Sequence, residues 1–131
     1  MSDTGYGFGK ELDIGFDAAR DKVEAALKEE GFGILTEIDV KQTLKEKLDA
    51  EFRRYVILGA CSPPLAHRAF QAELEIGLLL PCNVILYETG SGKCRVSAVN
   101  PEMMMKVVEN DKLADLGREA RQRLEKALAA L

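Results

Sequence analysis

The chain holds 131 residues, 47% apolar and 31% charged, with 18 basic against 22 acidic side chains and a formal charge of -4. That length suits one domain over 1–131, able to bury roughly two-thirds of its unfolded surface without disulfides or a structural metal, and the composition excludes a disordered chain. The acidic balance supplies no positive field to gather nucleic acid or anionic lipid, and no segment approaches the roughly 18 consecutive apolar residues of a bilayer span.

Tyr6, Phe8, Leu12 and Ile14 fall on one face of a period-2 pattern over 6–14, interrupted by Lys10, which predicts a half-exposed strand. Phe16, Ala19, Val23, Ala26 and Leu27 then recur at helical spacing, and Gly31 follows as a stop, giving a helix over 16–30. Residues 32–40 alternate again, with Phe32, Ile34, Thr36, Ile38 and Val40 on one face, and Asp39 is placed to cap a short helix carrying Leu44 and Leu48. The β-rich run from Tyr55 to Cys61 predicts a third strand. Its end is abrupt: Ser62 can cap a helix that Pro63 and Pro64 open, with Leu65 and Ala69 facing inward. Strands are expected over 82–87 and 93–99, joined by a hairpin at Thr89-Gly90-Ser91-Gly92. Asn100-Pro101-Glu102 opens a short helix or turn bearing Met103, Met104 and Met105. Leu113, Leu116, Ala120, Leu124, Leu128 and Leu131 mark a long terminal helix. Alternating strands favour an antiparallel sheet over a doubly wound parallel one. The expected fold is α+β: a two-layer sandwich, with a mostly antiparallel sheet of about five strands and helices packed on one face.

Chemistry-bearing residues are few. Cys61, Cys82 and Cys94 are an odd number without metal-finger spacing, which points to reduced thiols in a cytoplasmic chain. The N-terminus lacks the basic start and apolar run of a signal peptide. Cys61 closes a strand and precedes a helix start, where backbone N–H groups and the helix dipole would stabilise a thiolate below the usual value near 8.5. Cys82 and Cys61 each read also as small buried hydrophobes. The two are expected at the same end of the sheet if their strands run alike, and at opposite ends otherwise. Cys94 reads as a packing residue. His67, the one histidine, is either a helical surface residue or an acid/base or ligand group; a single histidine excludes a zinc site built from several. No G-x-S-x-G motif supports a triad, and Gly90-Ser91-Gly92 lacks the following Lys-Ser/Thr and helix of a phosphate loop. The three methionines read as flexible packing in preference to a soft-metal patch.

Three stretches taken together, 31–40 (GFGILTEIDV), 57–67 (ILGACSPPLAH) and 77–84 (GLLLPCNV), make the chain resemble the domain-of-unknown-function 302 family of small bacterial and archaeal proteins. The likeness runs over nearly the whole chain, and Leu79-Leu80-Pro81-Cys82-Asn83 is its most specific part. Ser62 stands where Asn is common before the prolines. The resemblance implies a two-layer α+β fold, frequent homodimers and an association with sulfur metabolism; it implies no activity. Three functions follow for test. One is a thiol-centred site for sulfur carriage, redox exchange or soft-metal binding, with Cys61 as catalytic thiol, Cys82 as second sulfur, and Asn83 and His67 as ligand-binding neighbours. The second is a non-enzymatic module holding haem or a similar small molecule through His67 or a cysteine, in a pocket between sheet and helices. The third is a structural or partner-binding homodimer. No cofactor and no resident metal is assigned, and turnover is left open. The expected partners are a second copy and a small-molecule or sulfur-transfer partner, with no nucleic acid and no membrane.

Overall fold

Period-2 alternation leaves each strand with one apolar face, and the computed structural model, which describes residues 1–131, stacks those faces into one layer. The strands are β1 (Ser2–Asp3), β2 (Gly7–Leu12), β3 (Gly33–Asp39), β4 (Tyr55–Cys61), β5 (Cys82–Gly90) and β6 (Lys93–Val99). They form a single six-stranded sheet in the order β1-β2-β6-β5-β4-β3, and every neighbouring pair is antiparallel. The additional strand is the two-residue β1. The helices are α1 (Phe16–Glu29), α2 (Val40–Leu48), α3 (Pro63–Ala72), α4 (Pro101–Lys106) and α5 (Asp111–Ala129), with a 3-10 turn at Leu74–Leu79 between α3 and β5.

The register explains the core. Leu58, Val84, Ala98 and Phe8 lie opposite one another across four strands, and Val56, Leu86 and Val96 form the next row. All seven are buried. The second row ends at Lys10, the residue that breaks the apolar pattern of β2. Its stem lies on the core side and its ammonium donates to the Leu131 oxygen at 2.9 Å, so the charge reaches a partner while the methylenes stay against apolar surface. Over these rows pack Ala19, Val23 and Leu27 of α1 and Leu113, Leu124 and Leu128 of α5, all fully buried. The opposite face of the sheet carries Ile57, Ile85, Tyr55 and Tyr87, each half-buried, with the two tyrosine rings stacked 5.2 Å apart.

Two expectations change. Alternation over 32–40 predicts a half-buried strand, but only Phe32 is buried, with Ile34 partly covered at the edge of the core. Residues 33–39 form an edge strand with a bulge between Ile34 and Thr36, and Ile38 is 50% exposed. In α2, Asp39 caps as expected, accepting from the Gln42 N–H at 2.9 Å, yet no residue of the helix is buried and Leu48 is exposed. The strand expected over 82–87 is β5, and both its edges are occupied by β4 and β6.

The close approach of α4 to α5 depends on Gly117. A Cβ there would lie 2.9 Å from both Met105 Cγ and the Pro101 carbonyl oxygen. The backbone oxygen cannot swing aside as a side-chain tip can. Gly117→Ala should gain about 1 kcal/mol of helix propensity and lose about 1–3 kcal/mol to overpacking. The expected outcome is a lower urea midpoint at unchanged slope; a midpoint at or above that of the parent chain would show that the two helices separate freely.

Candidate functional site

Antiparallel pairing of β4 with β5 sets Ala60 opposite Cys82. Cys61 therefore sits one residue from a directly paired position, which places its Cα about 6 Å from that of Cys82. This corrects the expectation about direction: because Cys61 ends one strand and Cys82 begins the next, it is opposite running that brings them to the same end of the sheet. The Leu80–Pro81 peptide that leads into Cys82 is cis.

Both cysteines line a cavity under the helix layer, walled by β4, α3, the turn before β5, α4 and α5. Its lining is largely apolar, including Phe32, Leu65, Leu80, Pro101 and Leu116, and its free volume is about 50 Å³. Alternation turns the Cys82 side chain to the helix side with its partner Ala60 and the Cys61 side chain to the other face; besides the cysteines, the polar residue of the lining is Ser62. Ser62 is 4% exposed, and its Oγ has no hydrogen-bond partner. A capping hydroxyl bonds the N–H of the second or third helical residue; Pro64 in the second position has no N–H, and the Leu65 N–H in the third makes no bond to the Ser62 side chain. Ser62 occupies the N-cap position, where its carbonyl accepts from the Ala66 N–H at 2.9 Å, while its side chain caps nothing. Asn100 shows the contrast. Followed by a single proline, it caps α4 with its Oδ1, which accepts from the N–H groups of Glu102 and Met103.

The same prolines undo the expected low thiol pKa at Cys61. They remove two of the N–H donors that would face a thiolate, and burial pushes the Cys61 thiol up instead. Cys82 is pushed up to about 11 by burial and by the neighbouring Cys61. Cys94 is raised by burial and by Glu88; fully buried, it donates its S–H to the Ile14 carbonyl at 3.0 Å, consistent with a packing residue.

The other two residues singled out from the sequence lie elsewhere. His67 is exposed on α3, in the turn after the buried Leu65. Asn83 follows Cys82 and so points to the opposite face of the sheet, where it lines a shallow groove with Tyr6, Tyr87, Arg95 and Ser97. Neither lines the cysteine cavity. Nor does haem fit there: sites for ligands of drug size hold roughly 300–1,000 Å³, several times the space present. No three His, Cys, Asp or Glu side chains converge on a point that could hold a metal ion. Sequence reasoning missed two things here. One is the orphaned state of the Ser62 hydroxyl, whose signal is the doubled proline. The other is the arrival of Met105 in the same cavity, which no local pattern announces.

An antiparallel sheet with helices on one face and a small thiol-lined cavity at one end defines the chain as an α+β sandwich protein with no helix long and apolar enough to cross a membrane. Its sequence matches the domain of unknown function DUF302 over residues 8–131, and the chain belongs to that family. It is similar to the crystal structure of an uncharacterized conserved DUF302 protein from Bacillus stearothermophilus, at 27% identity and a TM-score of 0.87, covering 96% of this chain and 98% of that one. No curated protein matches the sequence.

The raised Cys82 thiol has a consequence for stability. Below the ordinary thiol range both folded and unfolded chains hold this proton and pH has no effect through it. Above that range the unfolded chain releases the proton while the folded chain keeps it to about pH 11. Stability therefore falls across this alkaline window, by about 2–3 kcal/mol. Denaturant midpoints measured from pH 8 to 11 should decline more steeply for the parent chain than for Cys82→Ala; equal slopes would show that the thiol titrates normally.

Proposed function

We propose that the protein is a binding protein for a small thiophilic species, held at Cys82 in the cavity between sheet and helices, with Cys61 at the same end of the sheet. The observation that carries this reading is the buried Ser62 hydroxyl without a partner in the cavity whose lining includes both cysteines. An unsatisfied buried polar group costs about 1–3 kcal/mol, and a bound group that accepts its proton would recover that cost. The apolar lining and the volume of about 50 Å³ favour a small occupant of a few heavy atoms. Raised thiols argue for binding over nucleophilic turnover, because at neutral pH neither sulfur is an exposed thiolate ready to attack. A soft ligand overcomes this by forming a bond to sulfur and displacing the proton.

Ser62→Ala tests the reading from two sides. Removing an orphaned hydroxyl should stabilise the unliganded protein by about 1 kcal/mol, read as a higher urea midpoint, while weakening uptake of a thiophile. Methylmercury is the probe: intact-mass and peptide analysis should show it on Cys61 and Cys82 of the folded chain, with Cys94 reacting only after unfolding. If Ser62→Ala destabilises the chain, or if the mercurial binds only once the protein unfolds, the cavity is ordinary core.

A further inference from the structure

The face of the sheet turned away from the helices carries a groove of its own, independent of the cysteine cavity. We infer that this groove, over β5 and β6, binds a small aromatic carboxylate, with the ring on Tyr87 and the acid on Arg95. The ladder brings the parts together. Tyr87 lies directly opposite Arg95, and Ile85 directly opposite Ser97. All four share the open face, because Leu86, Val96 and Ala98, which alternate with them, are buried under the helix layer. Directly opposed residues on one face have Cβ atoms about 4.5–5.5 Å apart. Asn83, two residues before Ile85, lies on the same face and lines the same groove, whose free volume is about 270 Å³.

Charge selects the acid. Arg95 is the one charged residue of the lining, in a chain whose formal charge is -4. Arg20, Arg54, Arg118 and Arg121 each lie against a carboxylate. Arg95 is half-buried and has none, although Glu11 is its ladder partner on β2. Its Nη2 instead donates to the Ser2 Oγ at 2.6 Å. Ser2 lies opposite Gly9, so the arginine stem crosses β2 beside a position with no side chain. That position must stay bare, since a Cβ at Gly9 would collide with the Ser97 hydroxyl. One bond to Ser2 fixes the guanidinium and leaves most of its N–H donors free, in a planar fork that matches the two oxygens of a carboxylate.

Tyr87 supplies the flat surface. One side of its ring is stacked on Tyr55, 5.2 Å away and 6° from parallel. Tyr55 belongs to β4 and does not line the groove, so the free side of the Tyr87 ring is the one toward β6, braced from behind. A second ring can stack there in the offset manner aromatic pairs prefer, over the apolar Ile85. The Ser97 hydroxyl and the Asn83 amide bond no protein group and are free to meet a polar substituent on that ring. A volume of about 270 Å³ falls just below the roughly 300–1,000 Å³ of drug-sized sites, which suits one ring and its acid. With a single cation, the groove favours a monoanion over a phosphate dianion.

Titration of the isotope-labelled full chain with benzoate, followed by NMR, tests this. The expected result is saturable amide shifts at Tyr87, Arg95 and Ser97, none at Cys94, and a Kd of about 1 mM or tighter. Benzamide, a neutral isostere, and cyclohexanecarboxylate, which keeps the charge without the aromatic ring, should each bind at least about threefold more weakly. Arg95→Gln should weaken benzoate by at least about tenfold with the fold intact by circular dichroism. Arg95→Lys should restore only part of the affinity, since an ammonium lacks the fork. Absence of saturable shifts, equal benzoate affinity in Arg95→Gln, or benzamide or cyclohexanecarboxylate binding as tightly as benzoate overturns the assignment. So do shifts at the same amides that vary with protein concentration and that benzoate leaves in place, which would put a second copy of the chain on this face. Methylmercury uptake at the cysteines is a separate readout, so the two sites stand or fall independently.

Discussion

The pairing of β4 with β5 is the constraint on which the rest of the molecule turns. These two strands lie inside the sheet, with β3 outside one and β6 outside the other. Their antiparallel register aligns Leu58 with Val84 and Val56 with Leu86, which starts both rows of the core. The same register sets Ala60 opposite Cys82 at the far end. A slip of one residue would turn every one of these side chains to the other face. Core and cavity are thus a single consequence of one alignment, which also brings Cys61 and Cys82 to the same end of the sheet.

At that end of the sheet, two opposing influences act on the thiols. A helix start favours negative charge through its free N–H groups, while an apolar wall disfavours it. Pro63 and Pro64 decide the contest by removing donors without weakening the helix, since the first turn needs no N–H from them. The outcome is a pair of protonated thiols at one end of the sheet and a buried hydroxyl without a partner close by in the chain.

Much of the fold was legible because alternation and helical spacing report burial directly. The strand over 55–61, the hairpin near Gly90 and the long helix ending the chain follow from residues a few positions apart. The exposed face of β3 was not legible. Thr36 and Ile38 continue the spacing of a covered strand beyond Ile34, and only the sheet order reveals that the helix layer stops short of them. The turn at Leu74–Leu79 was hidden for a related reason: Leu74 and Leu78 are apolar in sequence yet more than three-quarters exposed in space. Of the site, the prominence of Cys61 and Cys82 could be read from their strand ends. Their closeness needed the direction of the strands, the placement of Asn83 and His67 away from them needed the alternation of faces, and Met105 needed the packing of α4 on α5.

The two lateral strands of the sheet end it in different ways. β1 has only two residues, too short a row of free N–H and C=O groups to template another chain. β3 is long enough, but its bulge after Ile34 breaks the ladder, and Glu37 is tied back to Arg20 of α1 at 2.6 Å. A strand arriving from another molecule would have to follow a kinked edge and sit beside Glu37 and Asp39. Irregularity and charge of this kind keep natural sheets from polymerising edge to edge. Both lateral edges of the folded sheet are therefore poor templates for the growth of a fibril.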